Sequence, residues 1–162
     1  MALSMAIWLY ANLAGITCRQ KQNFLEWYPM QVIGIDHFVL TVASIERTVA
    51  FYTRALGMTV EVFGPMQRTA LRFGPHKINL HQVDNTFDPK AERPTMGSAD
   101  LCFLVDDLAG AEAHLAACGV AVLVPASTRT GARGQLTSIY IRDPDQNLVE
   151  LSVYQDGTRA AG

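Results

Sequence analysis

From Ile33 onward the chain switches between hydrophobic period two and period 3.6, and does so twice. In residues 35–42, His37, Val39 and Thr41 share one face while Phe38, Leu40 and Val42 share the other, which predicts a half-buried strand. Ser44 suits a helix N-cap. Ile45, Val49, Tyr52 and Leu56 then form one apolar stripe, and Gly57 stops the helix. Three short strands are predicted at 59–63, 69–73 and 77–83, divided by Gly64-Pro65 and Gly74-Pro75. After a polar linker at 84–97 the order recurs. A strand at 100–105 places Asp100, Cys102 and Leu104 on one face. Asp107 caps a helix bearing Leu108, Ala111, Leu115 and Cys118, and Gly119 stops it. A strand at 121–124, a Gly-, Thr- and Arg-bearing loop at 127–134, and strands at 136–141 and 148–153 complete the second set.

His37 precedes Gly57 by 20 positions and Asp100 precedes Gly119 by 19, so the chain reads as an internal repeat of strand, helix and three strands. The implied fold class is α+β: two βαβββ modules, residues 33–84 and 98–155, within one domain at 33–155. Their curved mixed sheets would carry the helices outside, over the apolar strand faces. The other strand faces are then free to line a cleft. Residues 1–32 lack this patterning and are read as an extension outside the domain, with Met30 as the natural start. Residues 156–162 are a tail.

Composition narrows the picture. Apolar residues make up 49% of the 162 and charged residues 17%, enough to bury a core. The net charge is −2 with no basic cluster, which argues against nucleic acid as a partner. The apolar run at 1–17 is short for a membrane span and lacks the basic leader of a secretory signal, so no membrane association is expected. Cys18, Cys102 and Cys118 follow no CxxC spacing and suit a reducing cytoplasm.

The candidate chemistry lies on the faces opposite the helices. His37 sits on the first strand, Asn79 and His81 on the fourth, and Asp100 on the first strand of the second module. Ser138 and Tyr140 follow on its third strand, and Glu150, Ser152 and Tyr154 on its last. A mid-strand carboxylate such as Glu150 is costly unless something cationic meets it. Two imidazoles and a carboxylate, His37, His81 and Glu150, suit a divalent cation with open positions. Lone strand histidines are more often hydrogen-bonded than ligating, and only the joint placement raises these. Asp100 is a fourth ligand, an orienting partner or a strand-start residue. Arg129, at the expected mouth, can meet an anionic substrate group. Arg72, His76 and His114 read as ordinary surface or turn residues.

Three stretches resemble the vicinal oxygen chelate superfamily, which includes glyoxalase I, bleomycin- and fosfomycin-resistance proteins and extradiol dioxygenases. They are Asp36-His37-Phe38-Val39-Leu40-Thr41-Val42, Phe51-Tyr52-Thr53-Arg54-Ala55-Leu56-Gly57-Met58 and Asp143-Pro144-Asp145-Gln146-Asn147-Leu148-Val149-Glu150. Lys77-Ile78-Asn79-Leu80-His81-Gln82 and Arg129-Thr130-Gly131-Ala132 point to the glyoxalase domain-containing protein 5-like branch. The resemblance covers residues 33–154. It implies a divalent metal, Zn, Ni, Mn or Fe, with His37 and Glu150 as ligands, and Ser138 and Tyr140 along the substrate site. His81 lies on the strand that supplies a carboxylate ligand in glyoxalase I, and Asn79 competes for that place. Asp100 stands where many relatives have a histidine ligand, and Gln146 where glycine is usual in the turn. The implied activity is glyoxalase-like lyase or isomerase chemistry on a small molecule with vicinal oxygens, with Glu150 moving the proton and a homodimer as the working form. An Fe(II) dioxygenase and a non-catalytic binding or resistance protein are the alternatives.

Overall fold

The computed structural model describes residues 30–158. The chain divides into a unit of residues 1–34 and a unit of residues 35–162. The reading of the extension, residues 1–32, lies almost wholly outside the described residues.

The second unit runs β1 (His37–Val42), α1 (Ile45–Leu56), β2 (Thr59–Phe63), β3 (Arg68–Phe73), β4 (His76–Gln82), β5 (Asp100–Leu104), α2 (Leu108–Ala117), β6 (Val124–Thr130), β7 (Gln135–Arg142) and β8 (Leu148–Tyr154). It forms two four-stranded sheets, ordered β1-β4-β3-β2 and β5-β8-β7-β6. In each, the first and last strands pair in parallel and the others antiparallel. The fold is therefore α+β with two βαβββ modules and mixed sheets, as the repeat predicts.

Local chemistry sets the helix ends. The Ser44 hydroxyl accepts from the Arg47 amide at 3.2 Å, and the Asp107 carboxylate accepts from the Ala109 amide at 3.1 Å. Gly57 closes α1 at φ 65°, a conformation that carries little penalty without a Cβ.

The apolar faces of both sheets meet one helical layer. Leu40, Val42, Leu71, Ile78 and Leu80 pack with Tyr52 of α1, while Ile139, Ile141, Val149 and Leu151 pack with Ala55 of α1 and Leu115 of α2. Phe51, Leu56 and Phe103 touch both clusters. Phe73 and Phe103 meet edge to face at 5.1 Å, joining the two cores. With both apolar faces committed to this interior, both polar faces turn away from it.

Most strand ends lie within one or two residues of the sequence expectation, and one strand differs by more. The strand expected at 121–124 is irregular, and β6 instead covers Val124–Thr130, the first half of the expected loop included. Ser127, Thr128, Arg129 and Thr130 pair with β7, with a register break between Val124 and Ser127. The β-branched threonines tolerate the strand, and the bulge absorbs the mismatch.

The turn between β7 and β8 is tied to both modules. Buried Asp143 accepts from the backbone amides of Asp145 (2.9 Å) and Asn147 (2.8 Å), the Asn147 side-chain amide (2.8 Å) and the Tyr52 hydroxyl (3.0 Å). Asn147 Oδ1 accepts from the Ala99 amide at 2.9 Å, and Asp145 accepts from the Ala43 amide at 3.1 Å. Burial, followed by the charge of Asp143, pushes the Tyr52 phenol far above its ordinary pKa, so it remains a donor.

Candidate functional site

The polar face of the first sheet is a lattice set by strand register. His37 lies beside Lys77, Val39 beside Asn79, and Thr41 beside His81 on β1 and β4. Asn79 faces Ala70 and Lys77 faces Arg72 on β3. On β2, Glu61 faces Ala70 and Phe63 faces Arg68. Glu61 holds Arg72 at 2.7 Å and Lys77 at 3.6 Å, and Lys77 Nζ also lies 3.9 Å from the Phe63 ring centre. The His37 ring is exposed, with Nδ1 2.6 Å from Asp36 Oδ1, and that hydrogen bond lowers the Asp36 pKa. His81 is only 4% exposed. Burial lowers its pKa, and the charges of Arg68 and Lys90 act in the same direction.

The second sheet gathers the other candidates. Cys102, Glu150 and Tyr140 form one row across β5, β8 and β7, and Leu104, Ser152 and Ser138 form the next. The Ser152 hydroxyl donates to Glu150 Oε1 at 3.1 Å and lies 2.8 Å from the buried Ser138 hydroxyl. Arg129 Nε donates to the Tyr140 hydroxyl at 2.9 Å. Ser138 thus supports Glu150 through Ser152, while Tyr140 and Arg129 line the face beside it. Burial raises the Cys102 thiol pKa, and the neighbouring Glu150 charge adds to this, so the thiol is not an activated nucleophile. Glu150 is half-buried and forms no ion pair among the described residues.

The sequence expectation of one cleft within one chain is not met. Ser138, Tyr140, Arg129 and Glu150 share a face, but His37 and His81 lie on the other sheet. Among the described residues, no three His, Cys, Asp or Glu side chains meet closely enough to hold a metal ion. The physical reason is the shared interior, which turns the two polar faces away from each other. His37 and His81 also stand four residues apart in register, about 13 Å along the strands, with Val39 and Asn79 between them. Asn79, by contrast, is one diagonal step from His37.

Among the described residues, three buried side-chain polar atoms lack a hydrogen-bond partner: Asn79 Oδ1, Arg68 Nε and Ser127 Oγ. Each such group costs on the order of 1–3 kcal/mol. Two of the three lie on the first polar face, beside the predicted histidines. Arg68 escaped the sequence reading because the strand was expected to begin at Thr69, whereas β3 begins one residue earlier.

Residues 34–151 match the Glyoxalase/Bleomycin resistance protein/Dioxygenase superfamily, and the chain belongs to that superfamily. It is 51% identical over 128 residues to the glyoxalase domain-containing protein RDO1 of Mycosarcoma maydis, covering 78% of this chain and 72% of the relative. It is 42% identical over 147 residues to the virulence protein STM3117 of Salmonella typhimurium, covering 90% and 99%. The crystal structure of STM3117 superimposes with a TM-score of 0.75 over 77% of this chain and 99% of that one. The fold is shared more distantly with a lactoylglutathione lyase from Agrobacterium tumefaciens (22% identity, TM-score 0.57, 75% of this chain and 94% of that one). It is also shared with TnmS3, an antibiotic binding protein from Streptomyces sp. CB03234 (23%, TM-score 0.59, 75% and 96%). No helix among the described residues is long and apolar enough to cross a membrane.

Proposed function

We propose that this protein is a cytoplasmic, metal-dependent glyoxalase-like enzyme that acts on a small molecule with vicinal oxygens, and that two copies assemble each site. The observation that carries the reading is Glu150, a half-buried mid-strand carboxylate steadied by Ser152 and paired with no cation among the described residues. Such a group is set to meet a cation or to accept a proton. His37 and the unpartnered Asn79 Oδ1 offer an imidazole and an oxygen on the other polar face. With Glu150 this donor set fits a borderline or hard divalent ion such as Zn, Ni, Mn or Fe. In this assignment Asn79 takes the place expected for His81, and Asp100 is a further candidate oxygen ligand.

The convergence comes from a homodimer in which the first polar face of one copy opposes the second polar face of its partner. The edge strands β1 and β5 support it. Each is unpaired on its outer edge among the described residues and carries an exposed apolar residue on its polar face, Val39 (46% exposed) and Leu104 (38%). When bound, the metal supplies Lewis-acid polarisation of the substrate oxygens. Tyr140 and Arg129 orient the substrate, Ser138 and Ser152 fix the Glu150 carboxylate, and Glu150 Oε moves the proton.

The test is turnover of the hemithioacetal of methylglyoxal and glutathione, with and without chelator. Glu150→Gln and His37→Ala should each abolish activity. Mixing the two inactive variants should restore about one quarter of wild-type activity, because half the dimers are mixed and each mixed dimer has one intact site. Full activity after chelation or in Glu150→Gln would remove the enzyme reading, and no recovery on mixing would remove the shared site. Oxygen uptake with Fe(II) would mark the dioxygenase alternative. The second reading is a metal-free small-molecule binder. It is favoured by the stacked Arg129–Tyr140 and Arg133–Tyr154 pairs, which form a cationic aromatic platform at 5.3 and 4.7 Å. It predicts saturable ligand binding without product.

A further inference from the structure

The four histidines differ in what holds their rings. His76 Nδ1 lies 2.7 Å from the Ile35 carbonyl oxygen, and His114 Nε2 lies 2.8 Å from that of Arg54. Buried His81 packs edge-on to Phe87 at 5.3 Å, and the positive charges of Arg68 and Lys90 bear on it. Among the described residues, only His37 has a carboxylate as its ring partner, with Nδ1 2.6 Å from Asp36 Oδ1. An ionised carboxylate can only accept, so the His37 proton sits on Nδ1 and the lone pair is left on Nε2. The carboxylate is available for this task because Arg72 and Lys77, whose charges reach it, are both held by Glu61, at 2.7 and 3.6 Å. The backbone carbonyl of Asp36 separately accepts from the Lys77 amide at 3.4 Å, which seats residue 36 at the head of β1 whatever its side chain.

We propose that Asp36 is the positioning residue of the metal site, holding His37 in the Nδ1–H tautomer so that Nε2 is the ligating atom. The inference rests on the reading of His37 as a metal ligand. A free imidazole in water prefers its proton on the nitrogen farther from the chain, Nε2, so an unassisted His37 ring must give up its favoured tautomer before it can ligate there. The Asp36 carboxylate removes that cost, limits rotation of the ring and makes the ligating nitrogen more basic; losing such a partner typically weakens metal binding about 10–100-fold. His81 has none of these advantages, because no carboxylate meets its ring among the described residues and the positive charges near it disfavour a second cation. Asp36 thereby selects between the two imidazoles of the first polar face.

The test uses the full chain with 15N-labelled histidine, with the His37 signals assigned by their loss in His37→Ala. In chelator at about pH 8, above the ordinary histidine pKa of about 6.5, the wild-type ring should be protonated at Nδ1. Asp36→Ala should return it toward the Nε2–H form, and Asp36→Asn, which keeps a neutral acceptor, should fall between. Zinc affinity, measured by competition with a chelating dye, should drop about 10–100-fold in Asp36→Ala and less in Asp36→Asn. His81→Gln should leave it unchanged. The urea midpoint of Asp36→Ala should stay near wild type, because the pair is exposed, so the loss is not one of folding. A wild-type ring protonated at Nε2, or zinc affinity indifferent to Asp36→Ala, would overturn this proposal alone. Affinity lost in Asp36→Ala with the tautomer unchanged would also overturn it, since Asp36 would then be a direct ligand. A wild-type protein that takes up neither zinc, nickel nor manganese would remove the metal reading, and this proposal with it.

Discussion

Replacing Asp143 with Asn tests whether the Asp-Pro-Asp turn is a structural knot rather than part of the chemistry. The carboxylate accepts four hydrogen bonds, two at each oxygen: the Asp145 and Asn147 amides at Oδ1, and the Tyr52 hydroxyl and Asn147 side-chain amide at Oδ2. An asparagine must turn its NH2 toward one pair, placing donor against donor whichever way it flips. Two hydrogen bonds to a charged acceptor are lost, at about 1.5–3 kcal/mol each, so the cost is about 3–6 kcal/mol. That is a large part of the roughly 5–15 kcal/mol that holds a domain together. Tyr52→Phe removes one of these bonds and should cost about 1.5–3 kcal/mol. Urea unfolding at neutral pH, with the slope checked for constancy, measures both. An Asp143→Asn midpoint within about 1 kcal/mol of wild type would refute the argument, because buried donors cannot face an amide nitrogen so cheaply.

Other outcomes follow from the same geometry. Gly97→Ala should destabilise by about 2 kcal/mol or more, because φ is +66° and a Cβ would lie 2.5 Å from the Asp145 carbonyl oxygen; Gly119→Ala, at φ +69° with open space, should cost only the conformational part, about 1–2 kcal/mol, and paired thermal melts compare them. Gln146 sits at φ 70°, so Gln146→Gly should stabilise by up to about 1 kcal/mol in the same assay. His81 has a folded pKa below its ordinary 6.5, so the unfolded chain binds a proton the folded chain refuses, and stability should fall as pH drops through that value. His81→Gln should flatten that part of the stability–pH curve, and an unchanged slope would place the titrating group elsewhere.

Read by itself, the chain determined the duplicated βαβββ order, the helix caps at Ser44 and Asp107, and which residues of each strand face the helices. These depend on neighbours one to four positions apart, and alternation and capping chemistry encode them directly. It also placed Glu150, Tyr140 and Ser138 on one face. It misplaced β6, because a bulged, threonine-rich edge strand lacks clean alternation. Which faces meet was decided only by the tertiary structure. Periodicity says that an apolar face must be buried but not against what, and here Phe51, Leu56 and Phe103 serve both sheets at once. That shared interior turns His37 and Glu150 onto separate faces, and strand register, invisible in a single sequence, sets Asn79 rather than His81 beside His37.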